Sequence, residues 1–589
     1  MDHLIQSQMQ YDILVTGAGL AGIRAAVSCA RENRNVLLIT SSRLCSGSSF
    51  YPLMDTIHCL CTAGPQDRER FFKDIEDCSQ GMNDPWMGRY YIDHIEECIG
   101  NLPEMGIDFH KLPEKKLACF GHTARDLYYW KDWDALRTRV HQAIRKTGRI
   151  TVMEHTDLVQ LLVSENRIIG ALLLGPEGIL TISAKAVILA GGGMGGLYLH
   201  NLNTADVNGS TQAIALKAGA KLINLEYNQF IPGFLSPLYK TVFREGSLRY
   251  CTGLIGPDGE DVLKGLLPHQ ADYEECLMLR EPHGPFTFSD NSRYFDIALM
   301  KSALQRIEAE GGRFDESSGC LIRYSPDILK DKRGYVRDYT DWLLREHNIH
   351  IEKDPISIAP FFHAANGGIW VDHGCCTGVE GLFACGEGAG GIHGADRLGG
   401  MASGSCLVFG TLAARSACGH AGKNHFSPVP VDDIRGQLYA SYQCCPPYIK
   451  QPLSDTGRIP DSPQKICRRV KELMWRYGGI IRTEKGLVTA LEAMDAMGLV
   501  LDQNMGLDDC EDAPQLKAFL KAHQYLDLGR ALLASMLARR ESRGSHYRED
   551  HPQTDPLAGA WRTAVSLTDG KYVVSQTPAP GYTEPSSCS

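Results

Sequence analysis

Three glycines mark the first place where this chain can do chemistry. Gly17, Gly19 and Gly22 stand between an apolar run that ends at Thr16 and a helix-period stretch that begins at Leu20. One glycine suits the tight turn, one the close approach of a pyrophosphate, and one the packing of helix on strand. A second apolar run follows, so residues 11–40 predict a βαβ unit that binds a dinucleotide at the helix N-terminus. The acidic residue expected to hold a ribose at the end of the second strand is missing: the chain reads Ile39, Thr40, Ser41, Ser42. Hydroxyls such as those of Thr40 and Ser41, or backbone, would take its place. The loop LCSGSSFYP, with Ser48 and Ser49, has side chains small enough to run along a cofactor; its plainer reading is a surface loop. A second glycine turn (Gly191, Gly192, Gly193, Gly195, Gly196) follows another buried strand and predicts a second backbone approach to the same ligand.

Two histidine and cysteine groups offer metal-type ligands: His58 with Cys59 and Cys61, and His373 with Cys375 and Cys376. None of the 20 cysteines stands in a CxxC spacing, so ordinary free thiols are expected and no metal site is predicted. Ser403 and Ser405 precede the helical run CLVFGTLAARSA and are read as caps of its N-terminus.

The elements around these residues alternate. Residues 53–149 read as mainly helical, residues 150–190 as short strands in a meander, and residues 432–550 as helices. These give an α/β nucleotide domain with an inserted cap and a C-terminal helical region. The boundaries are 1–227 and 354–431 for the discontinuous nucleotide domain, 228–353 for the cap over the substrate cleft, 432–575 for the helical domain, and 576–589 for a disordered tail.

Length and charge exclude several classes. At 589 residues the chain is too long for a single small module, and 43% hydrophobic residues suffice for a large core. Lys and Arg total 60 against 70 Asp and Glu, which opposes a broad nucleic-acid surface. No apolar run reaches membrane-spanning length, and MDHLIQSQMQ carries no leader pattern, so cytoplasmic residence is expected.

Residues 359–410, APFFHAANGGIWVDHGCCTGVEGLFACGEGAGGIHGADRLGGMASGSCLVFG, are more specific than any glycine triplet. They closely resemble the second FAD signature of the succinate dehydrogenase, fumarate reductase and L-aspartate oxidase flavoprotein family. GAGLAG, AGGGMGGLY, RTEKGL and ARRESRGSHYREDHP resemble that family in the same order. The resemblance implies an FAD-dependent oxidoreductase that moves a hydride between flavin N5 and a carbon beside a carboxylate, with an α/β FAD-binding domain, Rossmann-like and doubly wound, an inserted α+β capping domain and a C-terminal helical domain. Glu387 resembles the carboxylate that holds ribityl or ribose hydroxyls, and the helix behind Ser403 and Ser405 would point its positive end at the flavin. Ser48 stands where some relatives attach FAD covalently through a histidine, so non-covalent FAD is expected. His363 and Arg397 resemble the carboxylate-binding pair, with His363 expected to change protonation with pH, and Arg293 resembles the cap arginine that donates or accepts the proton.

Other positions depart from the family. Relatives read QFHPT where this chain reads QFIPG, so Ile231 replaces a carboxylate-binding histidine. Phe243 and Arg244 stand in the substrate loop, with Arg244 offering a relocated contact; MAS replaces NSL, Gly209, Ser210 and Thr211 replace GDG, and Met54 and Asp55 replace a glycine pair. A carboxylate oxygen buried unpaired against Ile231 would cost roughly 2 to 7 kcal/mol. The expected substrate therefore has one carboxylate and an apolar or aromatic second end. The alternatives are an L-aspartate oxidase, an electron-transfer subunit partnering a separate iron-sulfur chain, and a flavin-binding protein without turnover.

Overall fold

A computed structural model describes residues 5–54, 56–267, 272–309, 319–429, 434–442 and 462–579. Asp55 and residues 580–589 of the expected tail lie outside them.

The βαβ unit forms as its residue pattern requires. Strand β1 (Ile5–Thr16) leads into helix α1 (Leu20–Arg31), which returns to β2 (Val36–Ile39), every residue of which is buried. Strands β3 (Ile150–Met153), β4 (Asp157–Ser164), β5 (Arg167–Gly175) and β6 (Gly178–Leu189) complete a sheet in the order β3-β2-β1-β6-β5-β4. The β1, β2, β3 and β6 pairings are parallel, while β4, β5 and β6 form the antiparallel meander. The carboxyl ends of β1 and β2 therefore open side by side, the usual place for a ligand in such a sheet.

The chain then leaves this layer. Strands β7 (Asn228–Ser236), β8 (Cys251–Ile255), β9 (Cys320–Tyr324) and β10 (Ile356–Ala365) make a separate antiparallel sheet in the order β7-β10-β9-β8. Its core joins Phe234, Ile322 and Ile356 to Phe295 and Leu299 of the helix Arg293–Ala309. Inside it, Arg280 Nε donates to Asp296 Oδ2 at 2.8 Å, and both are fully buried. Strand β10 lies wholly beyond residue 353, the expected end of the cap, yet it pairs with β7 and β9 rather than with the first sheet.

Strand β11 (Leu382–Ala384) returns to β6 in parallel, and helix α2 (Met401–Lys423) packs on α1, with Arg24 Nε donating to Thr411 Oγ1 at 2.7 Å. Helices α3 (Pro463–Tyr477), α4 (Glu484–Asn504) and α5 (Ala513–Ala538) form the C-terminal bundle. No helix among the described residues is long and apolar enough to cross a membrane.

Two expectations need correction. Residues 53–149 contain helices but also strands, including Ile57–Leu60 paired with Leu127–Trp130, where β-branched and aromatic residues favour pairing. The C-terminal part is not helical to 575: Trp561–Thr568 and Lys571–Pro578 form a hairpin, which takes in residues 576–578. Its turn is Asp569-Gly570, both at positive φ, as a tight two-residue hairpin turn demands. This hairpin pairs with Leu222–Ile223 and fastens the C-terminus to the segment just ahead of β7. Nearby, buried Glu226 accepts from Arg539 Nε at 2.6 Å and from Ser535 Oγ at 2.7 Å.

Candidate functional site

A cleft of about 830 Å³, counting space open to solvent, runs along the carboxyl ends of β1 and β2. Gly17, Gly19, Thr40, Ser41, Ser48, Ser49, Gly192 and Glu387 all line it, so most of the predicted cofactor residues converge. Gly22, Ser403 and Ser405 do not line it.

The three glycines have separable reasons. Gly17 adopts φ +96° and a Cβ there would lie 2.3 Å from Ala190 O, so it serves the turn. A Cβ on Gly22 would lie 1.8 Å from Gly17 O, so it serves packing of helix on strand. Gly19 has φ −77°, and its Cβ would meet nothing closer than Ser46 O at 3.6 Å. The protein does not need a glycine at 19; a ligand lying against the backbone does. That is the observation that fits a dinucleotide to this cleft.

Polar groups in the cleft point the same way. Glu387 accepts from Ala365 N–H at 2.9 Å and also from the Gly193 N–H, while burial pushes its carboxyl above the usual range. Asp206 takes a bond from Ser46 Oγ at 2.6 Å through one oxygen; its other oxygen is buried with no partner among the described residues. Hydroxyls of a cofactor chain would satisfy such an oxygen. Ser48 Oγ accepts from Asn203 Nδ2 at 2.7 Å. Thr156, Asp157, Asp206 and Asn208 also line the cleft without a sequence signal that singled them out for it, as does Thr211, noted above only as a departure from the family.

Ser403 and Ser405 are not helix caps. Gly400, at φ +77°, occupies the N-cap of α2; Ser403 donates to His58 O, and Ser405 donates back to Met401 O and Ala402 O. Both serines lie past the cap, inside the helix, so their hydroxyls bond within or beside it.

A second group of residues gathers on the cap side. Arg397, buried just before α2, donates from Nε to Gln229 Oε1 at 3.1 Å, and burial draws it down from the usual arginine range. His363 sits on β10 at a β-bulge: Gln229 pairs with Ala364 and Phe230 with Phe362, so His363 has no partner on β7. A bulge re-aims a side chain, and His363 spends its carbonyl on Asn203 Nδ2 at 3.4 Å instead. Burial and the charges of Arg397 and Arg244 pull its imidazole down to about 3. It is thus neutral at ordinary pH, which corrects the expectation that its protonation follows pH. The charge of Arg244 reaches His363.

Ile231 pairs with Phe361 and packs with Tyr51, Leu53, Met54 and Val242 in an apolar cluster. Phe243 is buried in the cap core. Arg293 is placed differently from His363 and Arg397: it opens the cap helix, donates to Phe288 O at 2.9 Å and lies over the Phe288 and Tyr294 rings. No interaction among the described residues joins it to that pair.

The histidine and cysteine groups do not converge. Among the described residues, the one set of His, Cys and carboxylate ligand atoms that meets is Glu484, Asp550 and His551, at an exposed edge.

Comparison with known proteins accords with this geometry. Residues 12–402 match the family model of an FAD binding domain, and residues 467–578 match that of a fumarate reductase flavoprotein C-terminal domain. The chain is 28% identical over 585 residues to a fumarate reductase (CoM/CoB) subunit of Methanothermobacter marburgensis, covering 94% of this chain and 96% of that one. It is 26% identical over 597 residues to an L-aspartate oxidase of Streptomyces coelicolor, covering 97% and 94%. Among solved structures, Mycobacterium smegmatis Sdh1 in complex with UQ1 shares the fold, at TM-score 0.77 and 22% identity over 97% of this chain and 95% of that one. With its cleft, its glycine turns and two family models that follow one another along the sequence, the chain belongs to the succinate dehydrogenase, fumarate reductase and L-aspartate oxidase flavoprotein family, and is an FAD-dependent oxidoreductase.

Proposed function

We propose that this enzyme oxidises or reduces a carbon-carbon or carbon-nitrogen bond next to the carboxylate of a substrate whose other end is apolar or aromatic. What supports it is a contrast between residues close along β7 and β10: Arg397 held by Gln229, with Arg244 and neutral His363, against Ile231 within the Tyr51, Leu53 and Met54 cluster. Bound FAD supplies the two-electron hydride exchange at N5. Arg397 presents a planar fork to the carboxylate, and Gln229 holds that fork in place. His363 gives one hydrogen bond from a neutral ring, so the charge on the carboxylate is met by the two arginines. The apolar cluster receives the second end and excludes water there. Arg293, at the start of the cap helix, is the proposed proton group. FAD is held without a covalent bond, because Ser48 offers a hydroxyl bonded to Asn203 and no imidazole nitrogen.

The test is Ile231→His. Restoring a donor at the apolar end is expected to raise turnover of fumarate or succinate. No gain with either would count against the altered clamp. A second reading, in which the chain hands electrons to a separate iron-sulfur chain, is favoured by the methanogen relative, whose name makes it one part of a larger enzyme. Co-purification of such a chain would support it.

A further inference from the structure

A second cleft, about 1110 Å³ on the same measure, lies between α3, α5 and the segments around Leu199 and Tyr239. It shares no lining residue with the cofactor cleft. Lys471 of α3 and Lys521 of α5 face it together, with Arg468 at its rim. Burial lowers the affinity of both lysines for a proton; the charge of Lys521 adds to the effect at Lys471, and that of Lys517 adds to it at Lys521.

Two carboxylates of the neighbourhood hold other ion-pair partners. Glu472 is taken by Arg468 at 3.2 Å and Arg469 at 3.3 Å, and Asp157 by Lys517 at 2.6 Å. Among the described residues, neither Lys471 nor Lys521 has a carboxylate in an ion pair; their ammonium groups lie over the face of Tyr525, at 6.0 and 5.3 Å, and Asp157 acts on Lys521 only through its charge. Lys240 adds a third positive charge, near enough to feel Lys471; its Nζ donates to Asn201 Oδ1 at 2.9 Å and to Asn203 O at 3.1 Å.

The walls are firmly held. Leu199 N–H donates to Lys471 O at 3.1 Å, Phe362 N–H to His200 O at 2.9 Å, and Trp475 Nε1 to Pro360 O at 2.9 Å. The cleft is therefore preformed, and much of the rest of its lining is aromatic or apolar: Tyr525, Tyr239, Leu199 and Ala518. A preformed hollow with unneutralised ammonium groups on one side and rings on the other suits an anion with an apolar body. Lysine ammonium groups act as point charges, which a tetrahedral phosphate can meet with several of its oxygens at once.

We propose that this cleft binds a small organic phosphate, with the phosphate between Lys471 and Lys521 and the apolar or aromatic body against Tyr525, Leu199 and Ala518. The test uses the FAD-saturated protein, so that the flavin's own phosphate site is filled. Phenyl phosphate and inorganic phosphate are titrated by calorimetry at two ionic strengths. Phenyl phosphate is expected to bind more tightly than inorganic phosphate, and more weakly at higher salt. Lys471→Gln and Lys521→Gln are each expected to weaken it about tenfold, while Lys471→Arg keeps most of the affinity. Ala518→Trp fills the hollow without touching a charge and is expected to abolish binding with the flavin spectrum unchanged, which covers the case of a lysine variant that fails to fold. Absence of binding to the wild type at millimolar phenyl phosphate, or equal binding by the wild type and Ala518→Trp, would overturn the proposal.

Discussion

Replacing Gly19 and Gly22 one at a time by alanine separates what the fold needs from what the cofactor needs. At Gly19 the backbone already has an ordinary φ of −77°, and the new methyl group stands 3.6 Å from Ser46 O, a normal contact. The loss to the apoprotein is that of an N-cap glycine exchanged for alanine, about 1 kcal/mol at most. The methyl projects into the cleft, where it meets the ligand instead. Overpacking of that kind costs about 1 to 3 kcal/mol, which is about 5- to 150-fold in the FAD dissociation constant. At Gly22 the methyl would lie 1.8 Å from Gly17 O, so α1 must move away from β1. That change destabilises the apoprotein by about 3 kcal/mol or more. Guanidinium unfolding of the apoprotein and quenching of FAD fluorescence on rebinding measure the two quantities independently. The reasoning is refuted if Gly19→Ala binds FAD as the wild type does, or if it unfolds as readily as Gly22→Ala.

Arg397→Lys keeps the charge but loses the fork and its bond to Gln229; a loss of about 1.5 to 3 kcal/mol, or roughly 10- to 150-fold in kcat/KM, is expected in steady-state assays. Buried His200 and His523 are each pulled down to about 3, against about 6.5 when unfolded. The unfolded chain thus binds more protons between those values, and stability falls as pH drops from 6.5 towards 3, by up to about 1.4 kcal/mol per pH unit for each histidine. Urea unfolding across pH 5 to about 7 should show this slope, shallower in His523→Phe; an unchanged slope would exclude His523 as a source. Arg539→Met leaves Glu226 buried with hydroxyl partners alone and should cost about 3 to 5 kcal/mol by the same unfolding measurement. Acid precipitation should leave all the flavin in the supernatant, since Ser48 cannot form the covalent link; yellow protein in the pellet would contradict this.

Much of the nucleotide layer was legible because its glycines are placed by backbone geometry, which sequence spacing records directly. Gly17 and Gly22 stand where the backbone has no room for a Cβ, as their order in the turn leads one to expect. Residues that meet only through long-range pairing left weaker traces. The direction in which His363 points depends on a bulge between β7 and β10, and a bulge is a mismatch of two strands that neither strand carries alone. Arg482 bonds to His546 at 2.5 Å, joining two segments recognised separately. Asp206 enters the cleft from a loop whose residues look like any polar loop, and Asp157 enters it as the first residue of β4. The C-terminal hairpin was different: Asp569-Gly570 between alternating apolar residues is a turn signal, but helical periodicity upstream obscured it. Ser403 and Ser405 show the reverse error, a capping residue type placed after the true N-cap glycine.

The most direct measurement is an anaerobic absorbance titration of the photoreduced holoenzyme with a panel of unsaturated monocarboxylates, dicarboxylates and imino acids. Reoxidation by a compound that has one carboxylate and an apolar or aromatic second end, with fumarate slower, is the result predicted by Arg397 and Ile231. Rapid reoxidation by fumarate, or by no carboxylate at all, would contradict it.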